Sequence, residues 1–314
     1  MTTHVDRQTT LAEQLTLTGI GVHSGKPASI TLVPADAGTG IVFSRTDQES
    51  ATEVRALWDQ VTATALCSVL GDPTQDGIST VEHLMAALFG MGVDNVIVEI
   101  DGPEMPIMDG SSAVFVGAIE QVGLKKLDRG RRYLKINKKV RVDNGSAWCE
   151  LHPHEGTKFD ITIDFETPVI GRQQYVSEMT PSVFRDDLSR ARTFGNVKDV
   201  EQLWKMGFAL GSSLDNSVAI SEDKVLNPEG TRWPDEFARH LALDAVGDLA
   251  LAGLPILGMY RSYKGGHKMN HSILVKLFED PSAFEVVEAP AFRQVGQVSK
   301  GGLAAAAAFG PDVS

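Results

Sequence analysis

Cysteine is scarce in this sequence, with only Cys67 and Cys149 among 314 residues. Two thiols without CxxC spacing exclude a disulfide framework and a thiolate metal cage, and they suit a reducing compartment. Long apolar runs are missing too: no segment is apolar for the 18 or so residues that a bilayer-crossing helix needs. The opening MTTHVDRQTTLAEQL has no basic segment leading into an apolar one. The expectation is a cytoplasmic chain with neither a secretory leader nor a transmembrane segment. Positive charge is outweighed as well, since 29 Lys and Arg against 41 Asp and Glu leave a net charge of -12. That excludes broad electrostatic binding to nucleic acid or anionic lipid and directs attention to small molecules, for which a local basic patch can still hold a phosphate.

What is present is ample core material, 42% hydrophobic residues with 22% charged, in a length suited to two modest domains sharing an interface. An internal likeness supports two. SGKPASITLVPADAGTGIVF, from Ser24, resembles NGSAWCELHPHEGTKFDITI, from Asn144: a glycine turn, an alternating strand, Leu-x-Pro, Gly-Thr and a second strand. Leu32 and Leu151 correspond, 119 positions apart. Downstream, HLMAALFGMG and HLALDAVGDLALAG each read as a helix opening on a histidine, closed by glycine and followed by a strand.

His83 and His240 lie 157 positions apart, so the second copy holds about 38 extra residues, placed within 173–229. The expected fold is α+β: two similar domains, each a sheet packed with helices, related by internal duplication, with an inserted element in the second. The first domain covers 1–126 and the second 132–300. KKLDRGRR at Lys125–Arg132 reads as the linker between them, and 301–314 as a mobile tail.

The chemistry concentrates on the paired helices. His240, Asp244 and Asp248 recur every four residues on an otherwise apolar helix and so share one face. Buried unpaired carboxylates cost several kcal/mol, on the order of a lost hydrogen bond or more, unless a cation or hydrogen-bond network compensates them, and a metal held at i, i+4 would do so. In STVEHLMAALFG, Ser79 and Glu82 fit a Ser-x-x-Glu capping box, which explains the glutamate structurally. The alternative makes His83 a metal ligand and Glu82 a general base toward a metal-activated water. His267, after two glycines, is a candidate general acid, held by a carboxylate such as Asp248. Thr193 offers a hydroxyl in SRARTFG. His23, in GVHSGK, fits either a cleft or a surface position.

These pieces, together with PIMDGSSAVF, SLDN and GGH, resemble the bacterial UDP-3-O-acyl-N-acetylglucosamine deacetylase family over nearly the whole chain. The resemblance implies one zinc ion per chain, held by His83, His240 and Asp244 with the fourth position open. It also implies Glu82 as base, Thr193 at the oxyanion, and His267, positioned by Asp248, as acid. The substrate it implies is an acylated UDP-sugar, which loses its N-acetyl group in the committed step of lipid A synthesis. Phe194 and Lys264 become substrate contacts. An inserted element becomes an apolar passage for the acyl chain, with Val197, Val200, Leu203, Phe208 and Leu210 as lining candidates. A monomer without nucleic-acid partners is expected.

One residue departs from the family pattern. Leu241 stands where the family usually carries lysine, which removes an ammonium from beside the cleft; Lys264 remains, and Arg239 or Lys268 could compensate. Two other readings of the residues stay open. Two histidines and a carboxylate also form the ligand set of non-haem iron oxygenases, and the leucine fits a catalytically weak sugar-nucleotide binding homologue.

Overall fold

A computed structural model of the chain describes residues 7–48 and 52–289. The segment 301–314 and the last residues of the second domain lie outside them. Strand formation follows alternation. In Pro27–Pro34 the residues Ala28, Ile30 and Leu32 turn inward, and in Thr157–Asp164 the residues Phe159, Ile161 and Ile163 do the same. Among the described residues six α-helices punctuate the strands: α1 (Glu82–Met91), α2 (Ala113–Val122), the single turn α3 (Pro181–Val183), α4 (Val197–Lys205), α5 (Glu236–Ala250) and α6 (His267–Phe278).

The two halves repeat one topology. The first sheet runs Leu15–Ile20, Pro27–Pro34, Val96–Ile100, Ile41–Arg45, Thr52–Arg55. In the second half the same order reads Val140–Asn144, Ala147–His152, Ile256–Tyr263, Thr157–Asp164, Arg172–Glu178. In both, successive pairings are antiparallel, antiparallel, parallel and antiparallel. Leu32 faces Val98 across its ladder and Leu151 faces Tyr260 across the equivalent one. Each half also pairs its first strand with its last, Arg7–Leu11 with Leu124–Gly130 and Arg132–Ile136 with Phe284–Glu288. The duplication is therefore a property of the fold as well as of two short sequence patterns.

Three local readings change. KKLDRGRR is not a loose linker: it supplies the end of strand Leu124–Gly130 and the start of Arg132–Ile136, turning at the buried Arg131, whose Nε donates to Asp94 at 2.8 Å. Its charge belongs to the exposed strand of a two-stranded ribbon whose other strand, Arg7–Leu11, is largely buried. Residues 173–178, placed in the insertion, form most of the main-sheet strand Arg172–Glu178, and the inserted elements themselves run from Pro181 to Val225. The first half carries an insert at the same topological point, between Arg55 and α1. It is a short three-stranded sheet of Val61–Ala63, Val69–Leu70 and Ile78–Ser79.

Helices α1 and α5 lie at the centre of one continuous core that joins both halves. Every residue of α5 except Arg239 and Leu241 is buried, as are all of α1 except Phe89 and Met91. Such circumferential burial requires neighbours on every side. Gly247 sets their closest approach, because a Cβ there would collide with the carbonyl of Glu82. That crossing brings Asp244, three residues before Gly247, and Asp248, which directly follows it, against the first turn of α1.

Candidate active site

The first turn of α1 is held without a capping box. Val81 occupies the N-cap and contributes no side-chain bond, Ser79 Oγ donates to the Pro103 carbonyl, and Glu82 Oε2 accepts the Ser68 N–H at 3.0 Å. Glu82 is thus free of the capping role that its spacing suggested. His83 follows it, and its carbonyl accepts the Ser112 hydroxyl at 2.7 Å, which ties the PIMDGSSAVF segment to this turn. His240 sits in the second turn of α5 rather than at its start.

Between the helices, the His83 and His240 rings meet edge to face with centroids 5.1 Å apart. Asp244 spans them, with Oδ1 at 3.5 Å from His83 Nε2 and Oδ2 at 3.5 Å from His240 Nε2. Among the described residues, these three form the one group of His, Cys, Asp or Glu arranged to hold a metal ion, each offering a ligand atom within 4.8 Å of the others. The donor set fits a divalent cation of zinc's type. Two further observations agree with that fit. Asp244 Oδ1 is buried without a hydrogen-bond partner, which leaves a polar atom that a cation would satisfy. His240 Nδ1 donates to the Ala191 carbonyl at 3.0 Å, which fixes the tautomer with the Nε2 lone pair facing Asp244.

The loop carrying Ala191 is itself anchored. Arg192, buried, donates from Nε to Glu236 Oε1 at 3.0 Å in the first turn of α5, and from Nη1 to Glu229 at 2.6 Å. Thr193 then donates its N–H to the Gly110 carbonyl at 2.7 Å and lines the cleft. Gly110 has φ of +79°, and a side chain there would strike the Asn216 carbonyl, so glycine is required.

His267 is the first residue of α6, and its Nδ1 donates to Asp248 Oδ2 at 2.8 Å. Its Nε2 lies 3.9 Å from Glu82 Oε1 and 4.0 Å from Asp244 Oδ2. Asp248 also accepts from Asn270 Nδ2 at 2.8 Å and from Ser68 Oγ at 2.6 Å.

Electrostatics separates the two titratable partners. Burial pushes the Glu82 carboxyl up to about 7, against the opposing pull of His267 and His83. Burial and the α6 N-terminus both disfavour an imidazolium at His267, yet the carboxylates of Asp248, Glu82 and Asp244 outweigh them and hold its pKa well above the ordinary histidine value. Burial lowers His240. It would raise Asp244, but the adjacent histidines keep that carboxylate ionised well below its usual range. Burial also pushes the Cys67 thiol up to about 12, so the cysteine beside the site is no nucleophile.

A cavity of about 490 Å³ opens from this cluster. At its head stand Glu82, His83, His240, Asp244, His267 and Thr193. Its far part is apolar, with Phe194, Val197, Val200 and Leu203 on the second insert joined by Leu66 from the first and by Trp204, Leu214 and Leu226. Helix α4 accounts for that wall. Asn196 caps it by accepting the Lys198 N–H at 2.9 Å, and none of its residues is fully buried although one side is strongly apolar. That apolar side packs in part on the strands Phe194–Asn196 and Val218–Ser221 and otherwise borders the cavity, where it offers a surface for the apolar part of a ligand.

Phe208 and Leu210 do not line the cavity. They follow a turn through Gly207 and Ala209, both at positive φ, and are 43% and 54% exposed. Phe208 instead packs edge-on to His23 at 5.9 Å, and the Leu210 N–H bonds the His23 carbonyl at 3.0 Å. His23 lines the cavity, with a buried, unpartnered Nδ1 and a pKa lowered by burial. Lys264 stands outside the cavity lining, its Nζ 3.4 Å from Asp164 and over the Tyr263 ring. Leu241 is half-buried and packs on the core. Arg239 is occupied by Asp235, the Asp187 carbonyl and the rings of Tyr175 and Trp233, while Lys268 is exposed.

Sequence reasoning missed Ser68, Asn270 and the Arg192–Glu236 pair. Asn270 was within reach, three residues beyond His267 on the same helix face; Ser68 carries no signal.

With the geometry in view, the sequence can be compared with known proteins. The profile of the UDP-3-O-acyl N-acetylglycosamine deacetylase family matches residues 8–279. The chain belongs to this family. UDP-3-O-acyl-N-acetylglucosamine deacetylases of Brucella ovis, Brucella canis and Brucella abortus are each 51% identical to it over 283 residues, covering 90% of this chain and 99% of each relative. The family's match spans both repeats and every residue of the cluster above. Among the described residues no helix is long and apolar enough to cross a membrane.

Proposed function

We propose that this chain hydrolyses the N-acetyl group of UDP-3-O-acyl-N-acetylglucosamine, with zinc held by His83, His240 and Asp244, to give acetate and the free 2-amino sugar nucleotide in the committed step of lipid A biosynthesis. The observation that carries the reading is the pairing of a raised carboxyl and a raised imidazole, 3.9 Å apart, beside the metal-type triad at the head of an apolar cavity. Bound zinc would supply Lewis acidity, polarising the amide carbonyl and acidifying water.

The protein groups do the rest. Glu82 takes a proton from the attacking water, for which a carboxylate poised near neutrality is suited. Thr193 donates its hydroxyl toward the oxygen that gains charge as the carbonyl carbon becomes tetrahedral. His267, as the imidazolium, donates its Nδ1–H in a hydrogen bond to Asp248, so that Nε2–H protonates the sugar nitrogen as the C–N bond breaks and a neutral imidazole remains. The walls of α4 receive the 3-O-acyl chain, each buried methylene contributing about 0.8 kcal/mol.

An acid–base pair beside the ligands supports hydrolysis over oxygen activation, which needs open metal positions for oxygen and a co-substrate. Acetate release from UDP-3-O-acyl-N-acetylglucosamine should be lost on chelation and restored by zinc. Stoichiometric iron with oxygen uptake, or no acetate from zinc-loaded protein, would refute the reading.

A further inference from the structure

The general base and the partner of the general acid come from different repeats, and one residue of the first insert bonds to both. Ser68, 1% exposed, precedes the insert strand Val69–Leu70. Its backbone N–H donates to Glu82 Oε2 at 3.0 Å and its hydroxyl donates to Asp248 Oδ1 at 2.6 Å. Its carbonyl faces the Val81 N–H at the start of α1 at 3.5 Å. Its N–H and hydroxyl are thus directed at the site, and its carbonyl at the N-cap of α1.

These bonds close a ring. From Ser68 the path runs to Asp248, whose Oδ2 holds His267 Nδ1 at 2.8 Å, and from His267 Nε2 across 3.9 Å to Glu82 Oε1, then back through Glu82 Oε2 to Ser68. The open edge of the ring is the 3.9 Å gap between Glu82 and His267. It is too long for a direct hydrogen bond, and it is where the two groups face the cavity. Ser68 closes the opposite side, away from the cavity.

We propose that Ser68 is a positioning residue that fixes the spacing of acid and base by tethering Asp248 of α5 to Glu82 of α1 across the repeat seam; this rests on the hydrolytic reading above. The physical need is specific. Asp248 has a short chain with a free torsion at its carboxylate, and Asn270 and His267 both bond the same oxygen, Oδ2. Among the described residues only the Ser68 hydroxyl holds Oδ1, so it is the bond that stops the carboxylate from rotating about the Oδ2 contacts. Loss of that bond leaves a buried oxygen unsatisfied and loosens the imidazole that must point at the leaving nitrogen. Neither Ser68 nor Asp248 lines the cavity, so substrate binding should be little affected.

The test is Ser68→Ala, alone and combined with Asp248→Ala, in zinc-loaded enzyme. The single substitution keeps the backbone bond to Glu82. It is expected to lower kcat about 10-fold or more while KM stays within about twofold and zinc content is unchanged. In the Asp248→Ala background the same substitution should have almost no further effect, because its partner is already gone. Additive losses in the double variant, a KM effect without a kcat effect, or loss of zinc from Ser68→Ala would each overturn the proposal. Wild-type enzyme that releases no acetate would instead refute the hydrolytic reading itself, so the two failures are distinguishable.

Discussion

Helices α1 and α5 occupy equivalent places in the two repeats, yet they carry different burdens. Helix α1 is 10 residues long and gives the site one candidate ligand, His83, and the proposed base, Glu82, both in its first turn. Helix α5 is 15 residues long and gives His240, Asp244 and Asp248 from three successive turns. On α5, His240 and Asp244 of the metal-type group precede the crossing at Gly247, and Asp248, which bonds His267, directly follows it. The inserts diverge in the same way. The short one of the first repeat supplies Ser68 and Leu66, and the long one of the second builds the apolar wall. The two copies are unequal at the seam: α1 meets it with its first turn, α5 with its middle and last turns.

The largest test of that inequality removes a ligand from each helix. His83→Ala and Asp244→Ala should each lose stoichiometric zinc and all measurable acetate release, read by metal analysis and product assay. If either retains both, that helix contributes no ligand. Next comes the pH profile. A base works deprotonated, so activity should rise with pH through the Glu82 carboxyl, near 7 in the metal-free chain and lower once a dication is bound. An acid works protonated, and the raised His267 pKa places the falling limb well on the alkaline side. His267→Ala should cost about 10²–10⁴ in kcat and remove that alkaline limb while leaving the acid one; an unaltered profile would exclude His267 as the acid.

A smaller effect is expected from Gly247→Ala, which forces α5 off α1. Overpacking of this kind costs about 1–3 kcal/mol, and the melting temperature and kcat should fall together. The smallest concerns Leu241. Introducing lysine should lower the KM for the UDP substrate by up to about fivefold, the ~1 kcal/mol ceiling of an exposed ion pair. An unchanged or raised KM would show that the family's lysine position has no part in substrate binding here.

Much of this was legible in the sequence because the signals were periodic. The i, i+4 spacing of His240, Asp244 and Asp248 fixes one helix face whatever surrounds it, and the alternating strands around Leu32 and Leu151 declare the repeat. Three things were not legible. The capping box at Ser79 and Glu82 failed because local spacing cannot reveal that Ser79 turns to Pro103 while Ser68 claims the glutamate. KKLDRGRR read as a linker because a solvated ribbon edge has the same composition as a loop. Phe208 and Leu210 looked like passage wall because they are apolar and adjacent to α4, but positive φ at Gly207 and Ala209 turns the chain out toward His23.

The central claim is that Glu82 acts as a base next to a metal it does not bind. Zinc-loaded Glu82→Gln separates those roles, since the amide keeps the shape of the carboxylate and can still accept the Ser68 N–H. The expected result is one zinc per chain, substrate binding close to that of the wild type, and acetate release reduced by about 10²–10⁴. Release at the wild-type rate with full zinc occupancy would contradict the account.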